Sequence, residues 1–179
     1  MKILIDTNVL YPTVMREVVL GVAKEGLFQP LWSDRILNEW ALAAEKLGPE
    51  GAAQARSEIA LLQVAWPDAI APPAFGIEAR LWLPDTNDRH VLAAAIAGSA
   101  DAIMTANAKD FPRNILAEEG LSRIDPDGYL FQCWQGHPET VGGVARNVLE
   151  TARRLSGEDW QMRPLLKKAK LPRLGRALG

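Results

Sequence analysis

Residues 2–8 read Lys-Ile-Leu-Ile-Asp-Thr-Asn, and the interpretation of this stretch decides the fold class. Three consecutive large apolar residues, two of them β-branched, are typical of a short strand that is buried on both faces. The polar residues Asp6, Thr7 and Asn8 end the strand at once. The stretch therefore predicts a buried strand with an acidic residue directly after its carboxyl end.

Further short apolar segments alternate with helical patterns along the chain. Residues 28–32, 102–105 and 121–124 are predicted as strands. Between them, Ser33 is positioned to cap a helix, and an alanine-rich helix is predicted over residues 88–97. Strands that alternate with helices indicate a parallel sheet that is covered on both faces.

Length and composition are those of an ordinary globular protein. The chain has 179 residues, of which 48% are hydrophobic and 23% are charged, which suits one compact core and excludes a disordered chain. The formal net charge of -2 excludes a broadly cationic protein that coats nucleic acid, because such proteins bind through many basic residues. It is compatible with an enzyme that gathers acidic metal ligands.

Cysteine use and hydropathy bear on the compartment. Cys133 is the only cysteine, so neither an intramolecular disulfide nor a zinc site with several thiolates is expected. No stretch before Asp6 has the length of a signal peptide, and no run approaches the ~20 apolar residues of a membrane span. We therefore expect a cytoplasmic protein without a membrane partner.

Three acidic residues occupy similar places in the predicted elements. Asp6 follows the first strand, Glu39 lies about one turn into the helix after Ser33, and Asp88 begins the alanine-rich helix. In open α/β sheets such junctions converge at the carboxyl ends of the strands, where ligands bind. Crowded carboxylates raise one another's pKa unless a cation compensates them. An oxygen-rich site with few histidines or thiols suits Mg²⁺ or Mn²⁺.

Each of these acids also has a purely structural interpretation. Asp6 can form an Asx-turn or cap the next helix, and Glu39 and Asp88 can simply favour the positive end of a helix dipole. Asp85 or Asn87 can cap the alanine-rich helix, and Asp85 competes with Asp88 as the acid of this region. His90 is expected to have a structural or surface role, because a helix would point it about 200° away from Asp88.

Four stretches in this order resemble the PIN-domain nucleases, a family that includes the toxins of VapBC-type toxin–antitoxin pairs. The four stretches are residues 3–10 (ILIDTNVL), 33–39 (SDRILNE), 85–95 (DTNDRHVLAAA) and 105–112 (TANAKDFP). Each stretch is a weak signal alone, and their common order makes the resemblance fairly specific. It covers about residues 1–125.

The resemblance implies a three-layer α/β/α sandwich with a central parallel sheet, and cleavage of single-stranded RNA with Mg²⁺ or Mn²⁺. It places Asp6, Glu39 and Asp88 at the first three acids of the family pattern, where they would act as catalytic metal ligands. Further residues are expected to take part: Asn8, Asp85 and Thr105 as supporting residues, and Arg35, Arg89 and Lys109 as contacts to substrate phosphates.

The fourth acid of the family pattern is absent at its usual place. Asn107 stands there, and Asp110 follows three residues later before Phe111 and Pro112. Either the amide of Asn107 supports the site, directly or through water, or Asp110 turns inward and supplies the charge. We favour Asp110 as the fourth ligand, although it can also be a helix cap before Pro112.

The end of the chain differs in charge from the rest. We expect residues 1–125 to form the nuclease domain, and residues 126–179 to form a helical extension with a basic tail, packed on the same domain. No acid follows Asp159, whereas six basic residues do: Arg163, Lys167, Lys168, Lys170, Arg173 and Arg176. This basic end suits nucleic acid or an acidic partner, but a solvated tail or a packed helix explains it as well.

Three functions follow from these features. The first is a metal-dependent endoribonuclease that acts on single-stranded RNA. It would act either as a toxin that a small antitoxin protein neutralises or in RNA processing. A homodimer is compatible with either role. The second is a non-catalytic RNA-binding or interaction domain with a degenerate PIN site, which Asn107 keeps open. A phosphatase-like hydrolase would require an Asp-x-Asp start, which Asp6-Thr7-Asn8 only approximates.

Overall fold

The computed structural model describes all 179 residues and has one four-stranded sheet of order β2-β1-β3-β4. The strands are β1 Lys2–Ile5, β2 Gln29–Leu31, β3 Ala102–Met104 and β4 Ser122–Ile124. β1 pairs in parallel with both β2 and β3, so that Ile3 lies opposite Pro30 on one side and Ala102 on the other. The parallel sheet predicted from the alternating pattern is therefore confirmed.

The burial of the strands explains their positions in the sheet. Ile3, Leu4 and Ile5 of β1 are fully buried, as expected for a central strand that is covered on both faces. β2 contains Pro30 and lies at the edge of the sheet, where a residue without an N–H donor is tolerated.

Helices connect the strands and form the end of the chain. Their bounds are α1 Thr7–Leu10, α2 Thr13–Lys24, α3 Asp34–Glu45, α4 Pro49–Ala65, α5 Phe75–Arg80, α6 Arg89–Ala97, α7 Arg113–Glu118, α8 Pro126–Gly136, α9 Pro138–Ser156, α10 Met162–Lys168 and α11 Pro172–Leu178. Ser33 caps α3, because its Oγ accepts a hydrogen bond of 3.1 Å from the backbone N–H of Ile36. The predicted helical extension after residue 125 is thus present as α8 to α11.

The internal contacts divide the chain into two compact units. Unit 1 contains Met1–Tyr11 and Gln29–Arg123, and unit 2 contains Pro12–Phe28 and Ile124–Gly179. Within unit 2, α2 and α9 approach closely at Gly21, where an added Cβ would lie only 2.5 Å from Cγ1 of Val144. The division into domains at residue 125 stays a prediction. No helix is both long enough and apolar enough to span a membrane.

The connections of the sheet create a natural ligand site in unit 1. The chain passes from β1 to β2 on one side, and later from β2 back to β3 on the other side of β1. The strand order therefore reverses between β1 and β3. Ligands of parallel α/β sheets bind beyond the carboxyl ends of the strands at such a point, and here those ends lead into Asp6 and Thr105.

Candidate metal centre

Asp6 is held between the ends of the two central strands. Its backbone N–H donates to the carbonyl of Met104 at 3.0 Å, one residue beyond the paired region. Its Oδ2 accepts hydrogen bonds from Oγ1 of Thr105 at 2.9 Å and from Nδ2 of Asn8 at 3.0 Å. Thr105 and Asn8 therefore orient the carboxylate, and their supporting role in a metal site stays a prediction.

The same carboxylate also caps a helix. Its Oδ1 accepts a hydrogen bond of 2.8 Å from the backbone N–H of Thr7, at the start of α1. The capping and site interpretations of Asp6 therefore coexist, one on each oxygen. Burial raises the pKa of Asp6, and the negative charge of Glu39 adds to this effect, although the bonds from Thr105 and Thr7 oppose it.

Glu39 projects from α3 and is linked to Asp6 through Thr7. Oγ1 of Thr7 donates to Oε2 of Glu39 at 2.9 Å, while the backbone of Thr7 donates to Asp6. Burial raises the pKa of Glu39, but His90, Thr7 and Arg35 together outweigh it, so that the pKa lies below its usual value. Glu39 is therefore expected to be ionised at neutral pH.

His90 is buried beside Glu39, and spacing along its own helix does not predict this contact. It is 5% exposed, and its Nε2 lies 2.5 Å from Oε1 of Glu39. This contact is close but not aligned as a hydrogen bond, and Nδ1 has no partner. The spacing along the sequence relates His90 only to Asp88, which lies two residues earlier. The residue that His90 contacts is Glu39, which lies in α3.

Three further acids form a compact group. Carboxylate oxygens of Asp85, Asp88 and Asp110 lie within 4.8 Å of one another. Asp85 caps the short 3-10 turn Thr86–Asp88 by accepting a hydrogen bond of 2.9 Å from the N–H of Asn87. Asp88, which immediately precedes α6, makes no capping hydrogen bond. Asp85 thus caps the turn that precedes α6 and not α6 itself, and the carboxylate of Asp88 is left for other contacts.

Asp88 experiences the charge of all the other acids at this edge. Its pKa is raised to about 6, first by burial and then by the negative charges of Asp6, Asp85, Asp110 and Glu39. We refer to these residues together as the acidic edge: Asp6, Glu39, Asp85, Asp88 and Asp110. His90 lowers the pKa of Asp6 and of Glu39, and Arg35 lowers that of Glu39, whereas the charges that act on Asp88 are all negative.

Asn107 and Asp110 interact directly. Nδ2 of Asn107 donates a hydrogen bond to Oδ2 of Asp110, and its backbone N–H donates to Oγ1 of Thr105 at 3.0 Å. The amide therefore orients Asp110, while Asp110 contributes its charge to the group with Asp85 and Asp88. The role of Asp110 as a ligand stays a prediction, and this arrangement supports it.

The three predicted phosphate contacts have different surroundings. Arg35 pairs with Glu78 at 3.1 Å and lowers the pKa of Glu39, so it lies near the acidic edge. Nε of Arg89 donates weakly to the carbonyl of Thr86 at 3.4 Å. Lys109 is exposed in the turn that ends at Asp110. Their roles toward a substrate stay predictions.

The donor atoms of the acidic edge fit a hard divalent cation. All five side chains offer carboxylate oxygens, which Mg²⁺ and Mn²⁺ prefer. Burial raises the pKa of Asp88 most, and the negative charges of the four other acids add to this effect, which a bound cation would offset. The chemistry of the donor set and its uncompensated charge therefore both point to cation binding.

Comparison with known proteins agrees with this geometry. Residues 2–109 match the PIN domain family, and neither a curated protein nor a solved structure matches the chain. The matched region contains the parallel sheet through β3 and four acids of the edge, and it ends one residue before Asp110. PIN domains have an α/β/α fold and are generally metal-dependent nucleases. The chain belongs to the PIN domain family.

Proposed function

We propose that this protein is a divalent-metal-dependent endoribonuclease that cleaves single-stranded RNA. One observation carries the proposal: Asp88 lies near enough to four other carboxylates that their negative charges add to the effect of burial and raise its pKa to about 6. Such crowding costs free energy unless a cation compensates it. Nucleases of this family are generally metal-dependent, so a divalent cation at this site would also account for phosphodiester cleavage.

The proposed metal ligands are Asp6, Glu39, Asp88 and Asp110, with Asp85 beside them. When bound there, Mg²⁺ or Mn²⁺ lowers the pKa of water and stabilises the charge that develops on a phosphate during displacement. The chain's own residues keep the carboxylates in place. Thr105 and Asn8 hold Asp6, and Thr7 and His90 contact Glu39.

Single-stranded RNA is the finer part of the proposal, and the family resemblance supports it. Arg35, Arg89 and Lys109 are proposed to contact its phosphates. Lys109 is the best placed of the three to do so, because it is exposed, has no ion pair and directly precedes Asp110. Arg35 would have to exchange its ion pair with Glu78 for a phosphate.

The test is a cleavage assay with end-labelled single-stranded RNA. The protein should cut in the presence of Mn²⁺ or Mg²⁺ and stop in excess chelator, and duplex RNA should be cut far less. Asp68→Asn is a suitable control, since Asp68 is exposed and lies outside the acidic edge. Cleavage that continues undiminished in chelator would contradict the proposal.

The second candidate is a non-catalytic RNA-binding or interaction domain. The observation that favours it is Asn107, whose neutral amide stands where the family pattern has an acid and is engaged with Asp110. A metal titration together with the cleavage assay separates the two functions. RNA binding without metal binding or cleavage would support the second candidate.

A toxin role is a narrower proposal that rests on the family resemblance. Induced expression in a bacterial host should arrest growth, and Asp88→Asn should abolish the arrest at equal protein level. Co-expression of a short neighbouring gene product should restore growth if that product is an antitoxin. Normal growth during expression of active nuclease would argue against a toxin and leave RNA processing as the role. Whether the protein forms a homodimer is a separate prediction.

A further inference from the structure

The basic residues at the end of the chain form a surface with aromatic side chains in unit 2. A groove of about 620 Å³ is lined on one side by Phe131 and Trp134 of α8, and on the other by Arg173 and Arg176 of α11. Its volume is in the range of ~300–1,000 Å³ that is usual for ligand sites. The groove therefore offers both a cationic wall and an aromatic wall.

The aromatic wall is ordered by its own contacts. The rings of Phe131 and Trp134 lie 5.6 Å apart with an interplanar angle of 30°, and both side chains are half-buried. The guanidinium of Arg173 lies over the ring of Phe131 at 5.4 Å. This cation–π contact holds the arginine at the groove.

The cationic wall continues into a neighbouring hollow. This hollow of about 110 Å³ is lined by Arg163, Lys167, Pro172 and Arg176, so Arg176 belongs to both depressions. These basic residues are exposed, and none of them forms an ion pair. The chain after Asp159 has no acidic residue, and the nearby carboxylate of Asp127 accepts hydrogen bonds from the backbone N–H groups of Arg173 and Leu174 and forms no ion pair with the basic side chains.

We refer to six residues of unit 2 together as the basic–aromatic surface: Phe131, Trp134, Arg163, Lys167, Arg173 and Arg176. We propose that this surface binds single-stranded RNA. Basic side chains contact backbone phosphates, and exposed aromatic faces stack on bases, which is the usual combination in proteins that bind single strands. A purely acidic protein partner would explain the charges but not the paired rings. The inference rests on the proposed function for the choice of RNA, but its chemistry is independent of the acidic edge.

The test measures binding of a fluorescein-labelled single-stranded RNA to the full-length protein by anisotropy, in excess chelator. The charge variant is Arg163→Gln/Lys167→Gln/Arg176→Gln. The control variant, Lys24→Gln/Lys46→Gln/Arg154→Gln, removes the same number of positive charges from exposed residues outside the basic–aromatic surface. The charge variant should bind RNA at least about tenfold more weakly. The slope of log affinity against log salt concentration should become shallower by about 2, because each of the three lost phosphate contacts contributes ~0.7 to it for a single strand.

A second pair of variants tests the aromatic wall. Trp134→Leu keeps an apolar side chain in the half-buried position but removes the ring, and it should weaken binding by about fivefold or more. Trp134→Phe should restore most of the affinity, because a stacking face returns. Thermal unfolding of every variant checks that the fold is unchanged.

Several results would overturn this inference. Equal binding by the charge variant and its control would do so, as would equal affinity for single-stranded and duplex RNA. Stronger binding of a polyglutamate peptide than of RNA would assign the surface to an acidic protein instead. Because the assay contains no free metal, failure here leaves cleavage unaffected, whereas failure of the proposed nuclease function appears only in the cleavage assay.

Discussion

The acidic edge and the basic–aromatic surface have opposite charge and opposite construction. In the acidic edge, hydrogen bonds from Thr105 and Asn8 hold Asp6, one from Thr7 holds Glu39, and one from Asn107 holds Asp110. The basic residues of the basic–aromatic surface are instead exposed, and none of them forms an ion pair. Carboxylates held by hydrogen bonds suit metal binding, whereas exposed basic side chains suit contact with a polyanion.

The net charge of the chain hides this contrast. The residues after Asp159 have a formal charge of +6, and the residues up to it have a formal charge of -8, which together give -2. A nearly neutral total therefore does not argue against a nucleic acid partner. The distribution of charge along the chain is more informative than its sum.

The largest expected effect separates chemistry from binding. Asp6→Asn and Asp88→Asn should each lower the rate of RNA cleavage by roughly a hundredfold or more, because each removes the charge of a proposed metal ligand. Both should bind RNA in chelator as tightly as the parent, since the basic–aromatic surface is intact. Gel assays and anisotropy measure the two properties, and Asp68→Asn should change neither.

Metal titrations of the Asn107–Asp110 pair sharpen the description of the acidic edge. Asp110→Asn should weaken Mn²⁺ binding by roughly tenfold or more, whereas Asn107→Ala should have a smaller effect, because the amide only orients Asp110. Asn107→Asp should tighten binding, since it adds a carboxylate near the cation. Calorimetry measures all three; loss of binding in Asn107→Ala alone would make the amide the ligand.

His90 is expected to act as a positioning residue for Glu39. His90→Gln should weaken Mn²⁺ binding by roughly tenfold, the usual effect of removing a residue that orients a ligand, and leave RNA binding in chelator unchanged. Leu92→Met, a buried change of similar volume on the same helix, serves as the control. Unchanged metal binding in a folded His90→Gln protein would assign His90 to packing alone.

The smallest expected effect is on stability. The pKa of Asp88 in the folded protein is about 6, above its ordinary value of 3.8, so folding favours the proton and stability falls as pH rises between these values. Asp88→Asn removes this penalty. Solvent screening at this partly exposed site reduces the gain to about 1 kcal/mol, which corresponds to a rise in Tm of about 2–4 °C near neutral pH.

Calorimetric melting in chelator measures this difference, and Asp68→Asn is again the matched control. The difference should shrink at about pH 4, where Asp88 is protonated in the parent. Saturating Mn²⁺ should raise the Tm of the parent more than that of Asp88→Asn. A variant that melts below the parent near neutral pH would show that Asp88 is not destabilised by its neighbours.

Local features of the structure were accessible from the sequence. β1 has the predicted bounds because burial on both faces is written directly into Ile3, Leu4 and Ile5. The cap at Ser33 and the competition between Asp85 and Asp88 also depend on neighbouring residues only. The family pattern then supplied the grouping of the distant acids.

Contacts between distant elements could not be predicted in the same way. The contact of His90 with Glu39 depends on how α3 packs against α6, and the residue pattern of a single helix does not predict this packing. Likewise, α2 belongs to unit 2 because it packs on α9, more than 100 residues later. The pairing of Phe131 with Arg173 also joins residues from separate helices.

The central claim is that the acidic edge binds a divalent cation, and a crystal soaked in Mn²⁺ tests it most directly. The anomalous difference map should show a peak ~2.0–2.6 Å from a carboxylate oxygen of Asp88, with at least one further contact to Asp6, Glu39, Asp85 or Asp110. Asp88→Asn crystals soaked in the same way should lose or weaken this peak. A map without a peak at the acidic edge, at a concentration that supports cleavage, would contradict the account.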